Sequence, residues 1–527
     1  IKAVCYPNRN QAQRKVYPSN MPNGRPPFLA IALLSAAALA YEVLLTRLFA
    51  ITQWHHLAFM VISLALLGYG ASGTFLVLAG QSLRKHFPVA FALNGTLFGV
   101  SAIICFDLAQ RIPFNPLEMA WDWRQLARLS AGYLLLALPF FTVANCIGLA
   151  LWVYPRDLHR SYGFDLMGAG TGALSIMLLL AVLRPEQALL VLGLTGLTAA
   201  ALGCRERTKP PCWALPGLGL VLILLAGRDL QLHPSEYKGL SQALRTSGAQ
   251  LVKETSGPLG TISLMDNLQI PPRHAPGLSL TSTRTPPHQL GLYVDGQHAG
   301  AISRFDGDWR KLAYLDDLPS ALPYHLLRHP HTLILGMGGG SSVLQALYHG
   351  AQKVDAVELN PQLVALVRDE LAEFTGGVYA RPQVEIHVAE ARGFLAASDR
   401  RFDLIDLAGL AAPDGATAGL AVLSESYVHT VEAFELYLRH LNPGGLLTLS
   451  QPLQLPPRGS LKLLLTAAEA LTATGSANPA QSLAMIRSWN TVTLVVKRGS
   501  LGPEETGAVR RFCNDRGFDP VYYPGLA

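Results

Sequence analysis

The chain has 527 residues, 50% of them hydrophobic and only 15% charged, with a positive mean hydropathy. That balance excludes an ordinary soluble enzyme built on one core and, at this length, implies two to four domains. The net charge of +6 sits mainly in short connections between apolar runs, without interleaved aromatics, which argues against nucleic acid as a partner.

Residues 1–26 are a polar lead in which no cleavable signal pattern is apparent. From 27 to 228 the chain reads as a polytopic helical bundle in lipid. Spanning the hydrocarbon takes roughly 20 apolar residues. Seven stretches are expected to qualify: about 27–50, 56–80, 87–107, 130–154, 161–183, 186–204 and 211–227. The fifth contains "GFDLMGAGTGALS", whose small residues allow close helix approach, so it is expected inside the bundle. Glu42 in "LAYEVLLTRLF" and Asp165 in "SYGFDLMGAG" are the deepest intramembrane charges. A bond between helices is the ordinary explanation of each, and a proton or cation path the sharper one. Trp54, His55 and His56 read as interfacial anchors, since no CxxCH pattern supports haem.

Twelve lysines and arginines fall on the N-terminal side of this bundle and five on the other, which places the N-terminus in the cytoplasm. Seven crossings would then carry the C-terminal half outside. That conflicts with a domain that uses a cytoplasmic cofactor, so either one span is miscounted or the domain does not use it.

Residues 236–325 read as a small β-rich module, with "LGTISLMD", "LSLTSTRT" and "LGLYVDGQ" as its strands. From 326 to 527 strands and helices alternate: "HTLILG", "KVDAVEL", "VEIHVAE", "FDLIDLAGL" and "GLLTLSQ" are strands, and "SSVLQALYHG" and "PQLVALVRDELAEF" helices. This is the pattern of a doubly wound, Rossmann-like parallel sheet. Of the six cysteines only Cys513 lies in this half, and none has metal-ligand spacing, so neither a disulfide nor a metal centre is expected.

In such a sheet the ligand sits at the carboxyl ends of the strands, against a helix N-terminus. Gly336, Gly338, Gly339 and Gly340 let the backbone approach it, and Glu358 closes the second strand about 20 residues on, placed to accept ribose hydroxyls. A nucleoside pocket follows from the pair.

"LILGMGGGSSVLQALYHGAQKVDAVELNPQLV", "VEIHVAEARGFL" and "LSESYVHTVEAFELYLRHLNPGGLL" resemble the spermidine synthase family of aminopropyltransferases. "AYEVLLTRLFA", "YGFDLMGAGTGAL" and "VRRFCNDRGFDPVYYPG" are similar to its membrane-fused bacterial branch, so the resemblance covers nearly the whole chain. It implies a multi-pass protein of the bacterial inner membrane, with a methyltransferase-type fold and a pocket for decarboxylated S-adenosylmethionine or methylthioadenosine. Glu358 would take the ribose, Glu390 with Ala391 the adenine edge, and the glycine loop the sulfur-bearing chain. The acceptor implied is a polyamine.

Departures from the family bear on the chemistry. Aminopropyl transfer needs a carboxylate to hold and deprotonate the amine. In "FDLIDLAGLAAPDG" the family aspartate falls at Ala411, leaving Asp406 and Asp414 as substitutes. The polyamine-side element reads Tyr314, Leu315 and Asp316, and Asp295 and the Asp316–Asp317 pair are further candidates to hold a polycation. Two functions are therefore expected to compete: a membrane-anchored aminopropyltransferase-like enzyme, and a catalytically silent accessory subunit that binds a ligand or protein partners in a membrane complex. A polyamine transporter ranks behind both.

Overall fold

In the N-terminal part of the chain the apolar runs fold as helices, which alone pair every backbone amide within one segment. They are α1 (Phe28–Thr52), α2 (Met60–Lys85), α3 (Phe87–Gln110), α4 (Trp123–Val153), α5 (Leu158–Val182), α6 (Pro185–Gly203) and α7 (Pro210–Arg228). The structure, a computed structural model, describes residues 25–53, 60–115, 118–119, 121–204, 210–228, 230–408 and 427–526. Trp54, His55, His56, Ala411 and Asp414 lie outside these. The chain divides into two compact units, Ile1–His233 and Pro234–Ala527.

Among the described residues six helices, α1 to α6, are long and apolar enough to cross a membrane, which corrects the expected seven. The seventh candidate, α7, is not one of the six; its described apolar stretch is Cys212–Arg228. The position expected for α5 also changes. Its Gly168 and Gly172 lie so close to α1 that a Cβ on either would collide with the carbonyl of Ala32 or Ala36. Only that stripe faces inward, however. Leu174, Leu178 and Val182 are at least 72% exposed, so α5 lies at the periphery of the bundle. On the same seam the Ser35 hydroxyl donates to the Asp165 carboxylate, a bond between helices, while Glu42 on α1 is half-buried. Gly172→Leu is expected to force α1 and α5 apart and cost about 1–3 kcal/mol. A lowered unfolding midpoint of the detergent-solubilised protein would show it.

The second unit opens with the short helix α8 (Gly239–Leu244) and a four-stranded antiparallel sheet. Its strands, in spatial order, are β1 (Ala249–Gly257), β2 (Gly260–Asn267), β3 (Gln289–Val294) and β4 (Gln297–Ser303). The expected strand at "LSLTSTRT" is instead a loop. Its hydroxyls bind partners distant in the chain, Ser279 Oγ donating to Arg516 O at 2.5 Å and Ser282 Oγ to Asp317 Oδ2 at 2.6 Å.

After α9 (Leu322–Leu326) come β5 (His331–Leu335), α10 (Ser341–Tyr348), β6 (Lys353–Glu358), α11 (Pro361–Ala365), β7 (Val384–Val388), α12 (Ala391–Ala396) and β8 (Phe402–Asp406). Then follow α13 (Val431–Arg439), β9 (Leu441–Pro452), α14 (Arg458–Ala473), β10 (Leu483–Arg487), β11 (Thr491–Lys497), α15 (Pro503–Arg516) and β12 (Asp519–Tyr522). The eight strands β5 to β12 form one sheet in the order β12-β10-β11-β9-β8-β5-β6-β7. β7, β6, β5, β8 and β9 run parallel, and β11, β10 and β12 join antiparallel. The chain winds outward one way from β5 and the other way from β8. Their carboxyl ends therefore flank the topological switch point, where doubly wound folds bind ligands.

Candidate functional site

β5 ends at Leu335, and the N–H groups of Gly336 and Met337 both donate to Val357 O, at 2.9 and 3.1 Å. Gly340 N then closes the turn onto Met337 O at 2.9 Å, and α10 begins. Gly338 has φ +54°, a left-handed conformation that disfavours residues with a side chain, and a Cβ built on it would meet open space. Gly339 is required for a different reason: a Cβ there would collide with the Ala301 carbonyl of β4. The glycine turn is thus pressed against the small sheet on one side and open on the other.

The open side is a cavity of about 420 Å³, large enough for a small-molecule ligand. Gly336, Gly338, Gly339, Tyr314 and Asp406 line it, with His274 and His298 also in its wall. Glu358, half-buried at the end of β6, is not itself in the cavity wall but braces the turn. Its Oε2 accepts from Gly338 N at 3.0 Å and its Oε1 from Asn360 N at 3.0 Å. Each carboxylate oxygen keeps a further lone pair for a ligand hydroxyl.

Asp406, the last residue of β8, is 6% exposed. Burial pushes its carboxyl up to about 7, against the opposing hydrogen bond from Ser342. Near neutral pH it can therefore both take and release a proton. Tyr314 is buried, its hydroxyl 3.4 Å from Ser303 Oγ, and burial pushes its phenol upward.

Other expected site residues lie elsewhere. Glu390 caps α12, accepting from Arg392 N at 3.0 Å and Gly393 N at 2.6 Å, with Ala391 buried behind it. Neither lines the cavity. Gly340 is not in the wall either: at φ +84° it starts α10, packed on Tyr379. Asp295 forms the β3–β4 hairpin with Gly296, at φ +51° and +73°, and its Oδ1 accepts from Thr261 N at 2.8 Å. Its carboxylate is a turn-forming group, as expected of Asp–Gly in a two-residue hairpin.

Asp316 is likewise committed. Its Oδ2 lies 2.7 Å from Arg516 Nη2 and its Oδ1 2.7 Å from His325 Nε2. Burial opposes its charge, but those bonds outweigh burial and hold the carboxyl well below the usual carboxylate range. Burial is also the main reason that His349, 3.8 Å away, is lowered to about 4. Asp316 therefore does not line the cavity. Conversely, His274, His298, Ser342 and Gln345 do line it, and no sequence pattern marks them.

No family model matches the chain. Two archaeal proteins are similar to parts of it. Polyamine aminopropyltransferase 2 of Hyperthermus butylicus is 26% identical over 155 residues, 29% of this chain and 47% of that one. The polyamine aminopropyltransferase of Korarchaeum cryptofilum is 21% identical over 201 residues, 38% of this chain and 58% of that one. The chain thus spans about half the length of the curated relatives it matches. Among solved structures, a probable spermidine synthase from Corynebacterium glutamicum aligns with 52% of this chain and 91% of its own, at 19% identity and a TM-score of 0.34. The chain therefore has low-identity similarity, over part of its length, to polyamine aminopropyltransferases.

Proposed function

We propose that the second unit is a transferase domain using an adenosyl sulfonium donor, carried by a bundle that crosses a membrane. It moves an aminopropyl or related group to an amine. The observation that carries this reading is Asp406: a buried carboxyl with a pKa near 7 in the wall of the cavity above the Gly338 turn. The donor, decarboxylated S-adenosylmethionine or a similar nucleoside, supplies a carbon made electrophilic by the neighbouring positive sulfur. Glu358 holds the ribose, and the turn leaves room for the sulfur-bearing chain. The amine nitrogen bonds to that carbon while the carbon–sulfur pair returns to sulfur, releasing methylthioadenosine. The proton displaced from the amine passes to Asp406, which stands in for the carboxylate absent at Ala411.

The six helices long and apolar enough to cross a membrane, among the described residues, support the same reading. An even number returns the chain to the side it left, which the charge bias makes the cytoplasm, where adenosyl donors are held. In intact cells an engineered Gly525→Cys is expected to stay unlabelled by a membrane-impermeant thiol reagent, compared with the unsubstituted chain. Labelling above that background would place the pocket outside and end the enzyme reading. The direct test is transfer itself: solubilised protein, decarboxylated S-adenosylmethionine and a panel of amines should yield methylthioadenosine and a heavier amine by mass spectrometry.

One observation favours the silent accessory subunit instead. The Glu390 carboxylate caps its own helix and does not line the cavity. Nucleoside binding without transfer to any amine would select that second reading.

A further inference from the structure

The cavity beside Asp406 adjoins a second, also of about 420 Å³. His274 and His298 line both and form the boundary between them, with ring centroids 5.0 Å apart. The loop carrying His274 is fixed from below. Gln289, fully buried on β3, accepts from His274 N at 2.6 Å and donates to His274 O at 3.2 Å. The second cavity also touches Arg273, Asn267 and Tyr293.

The charges in these walls are unusual for a polyamine site. Among the described residues lining the two cavities, Asp406 is the only acid and Arg273 the only permanent cation. Burial and the neighbouring His298 push the His274 imidazole down to about 4, so near pH 7 it is neutral. A diamine would bring two ammonium groups, and the sulfonium donor adds its own positive charge. Three positive charges facing one carboxylate leave charge desolvated and unpaired, which is costly. An arginine at the far end adds repulsion for an ammonium and a planar, bidentate partner for a carboxylate.

We propose, resting on the transferase reading above, that the acceptor is an amine that also carries an anionic group. Its amine sits toward Asp406, and its anion reaches past the His274–His298 pair to Arg273. The site is in this view selective for amino acids or similar zwitterions over polyamines.

The test uses full-length protein in detergent, saturated with methylthioadenosine, and calorimetric titration with probes matched in length. These are γ-aminobutyrate against putrescine, and ε-aminocaproate against hexamethylenediamine. At least one amino acid is expected to bind about tenfold or more tightly than its matched diamine. Arg273→Gln should remove that preference while leaving methylthioadenosine affinity unchanged. The proposal is overturned if the diamines bind as well or better, if neither class binds, or if the preference survives in Arg273→Gln. Failure of methylthioadenosine itself to bind is a separate result, and it overturns the transferase reading together with this one.

Discussion

Glu358→Ala is expected to weaken methylthioadenosine binding by about 100- to 1,000-fold. Hydrogen bonds to a charged group contribute roughly 1.5–3 kcal/mol each, and the role proposed for this carboxylate is to take the ribose hydroxyls. It also holds the Gly338 N–H at 3.0 Å, so its removal frees the turn that forms the cavity floor. Glu358→Gln keeps one acceptor oxygen and should lose less, which separates a lost contact from a collapsed loop. Calorimetry reads the affinity, and an unchanged unfolding midpoint verifies that the unit still folds. The contrast with Glu390→Ala sharpens the result. Loss of that cap should cost about 1 kcal/mol of stability and leave nucleoside affinity nearly intact, because Glu390, unlike Glu358, does not hold the Gly338 turn. Wild-type affinity in Glu358→Ala would mean that the nucleoside, if it binds at all, lies elsewhere.

Much of the architecture could be read from local signals, and the misreadings share a cause. β5 is a buried short apolar run between Pro330 and Gly336, so composition alone marks it. β1 and β4 lack that signal: "AQLVKETSG" is mostly solvated and "QHAGAIS" has few apolar residues, yet both pair with β2 and β3. "LSLTSTRT" has strand-like residues but forms a loop, since Ser279 and Ser282 satisfy backbone and carboxylate partners that no local pattern specifies. The span count differs at α7, whose expected stretch, 211–227, is the shortest of the seven.

Within the site, the glycine turn and Glu358 could be read because their spacing follows from strand length. Asp316 misled for the opposite reason. An exposed-looking acid in sequence is partnered by Arg516, 200 positions away. His274 and His298 reach the cavity only through the tertiary placement of the small sheet, which sequence periodicity does not encode.

For Asp406→Asn the expected result is a fall in transfer rate of about 100- to 10,000-fold, the usual range for losing a positioned base. The pH profile should change with it. If ionised Asp406 accepts the amine proton, the wild-type rate climbs with pH up to about 7 and then levels, and the variant loses that limb. Stability supplies a second readout that requires no substrate. The folded carboxyl titrates above its unfolded value because it is buried, so the folded state binds the proton more tightly than the unfolded state. The stability associated with that proton is complete below about pH 4 and declines as pH rises toward 7. Asparagine cannot ionise. At pH 8 the variant should therefore be more stable than wild type, by on the order of 4 kcal/mol, with little difference or a small deficit at pH 4. A low rate together with this crossover would identify a buried base whose ionisation destabilises the fold, as chemistry in a dry cavity requires. A low rate with parallel stability curves would mean that the substitution merely damaged the wall, and a different proton acceptor would have to be sought.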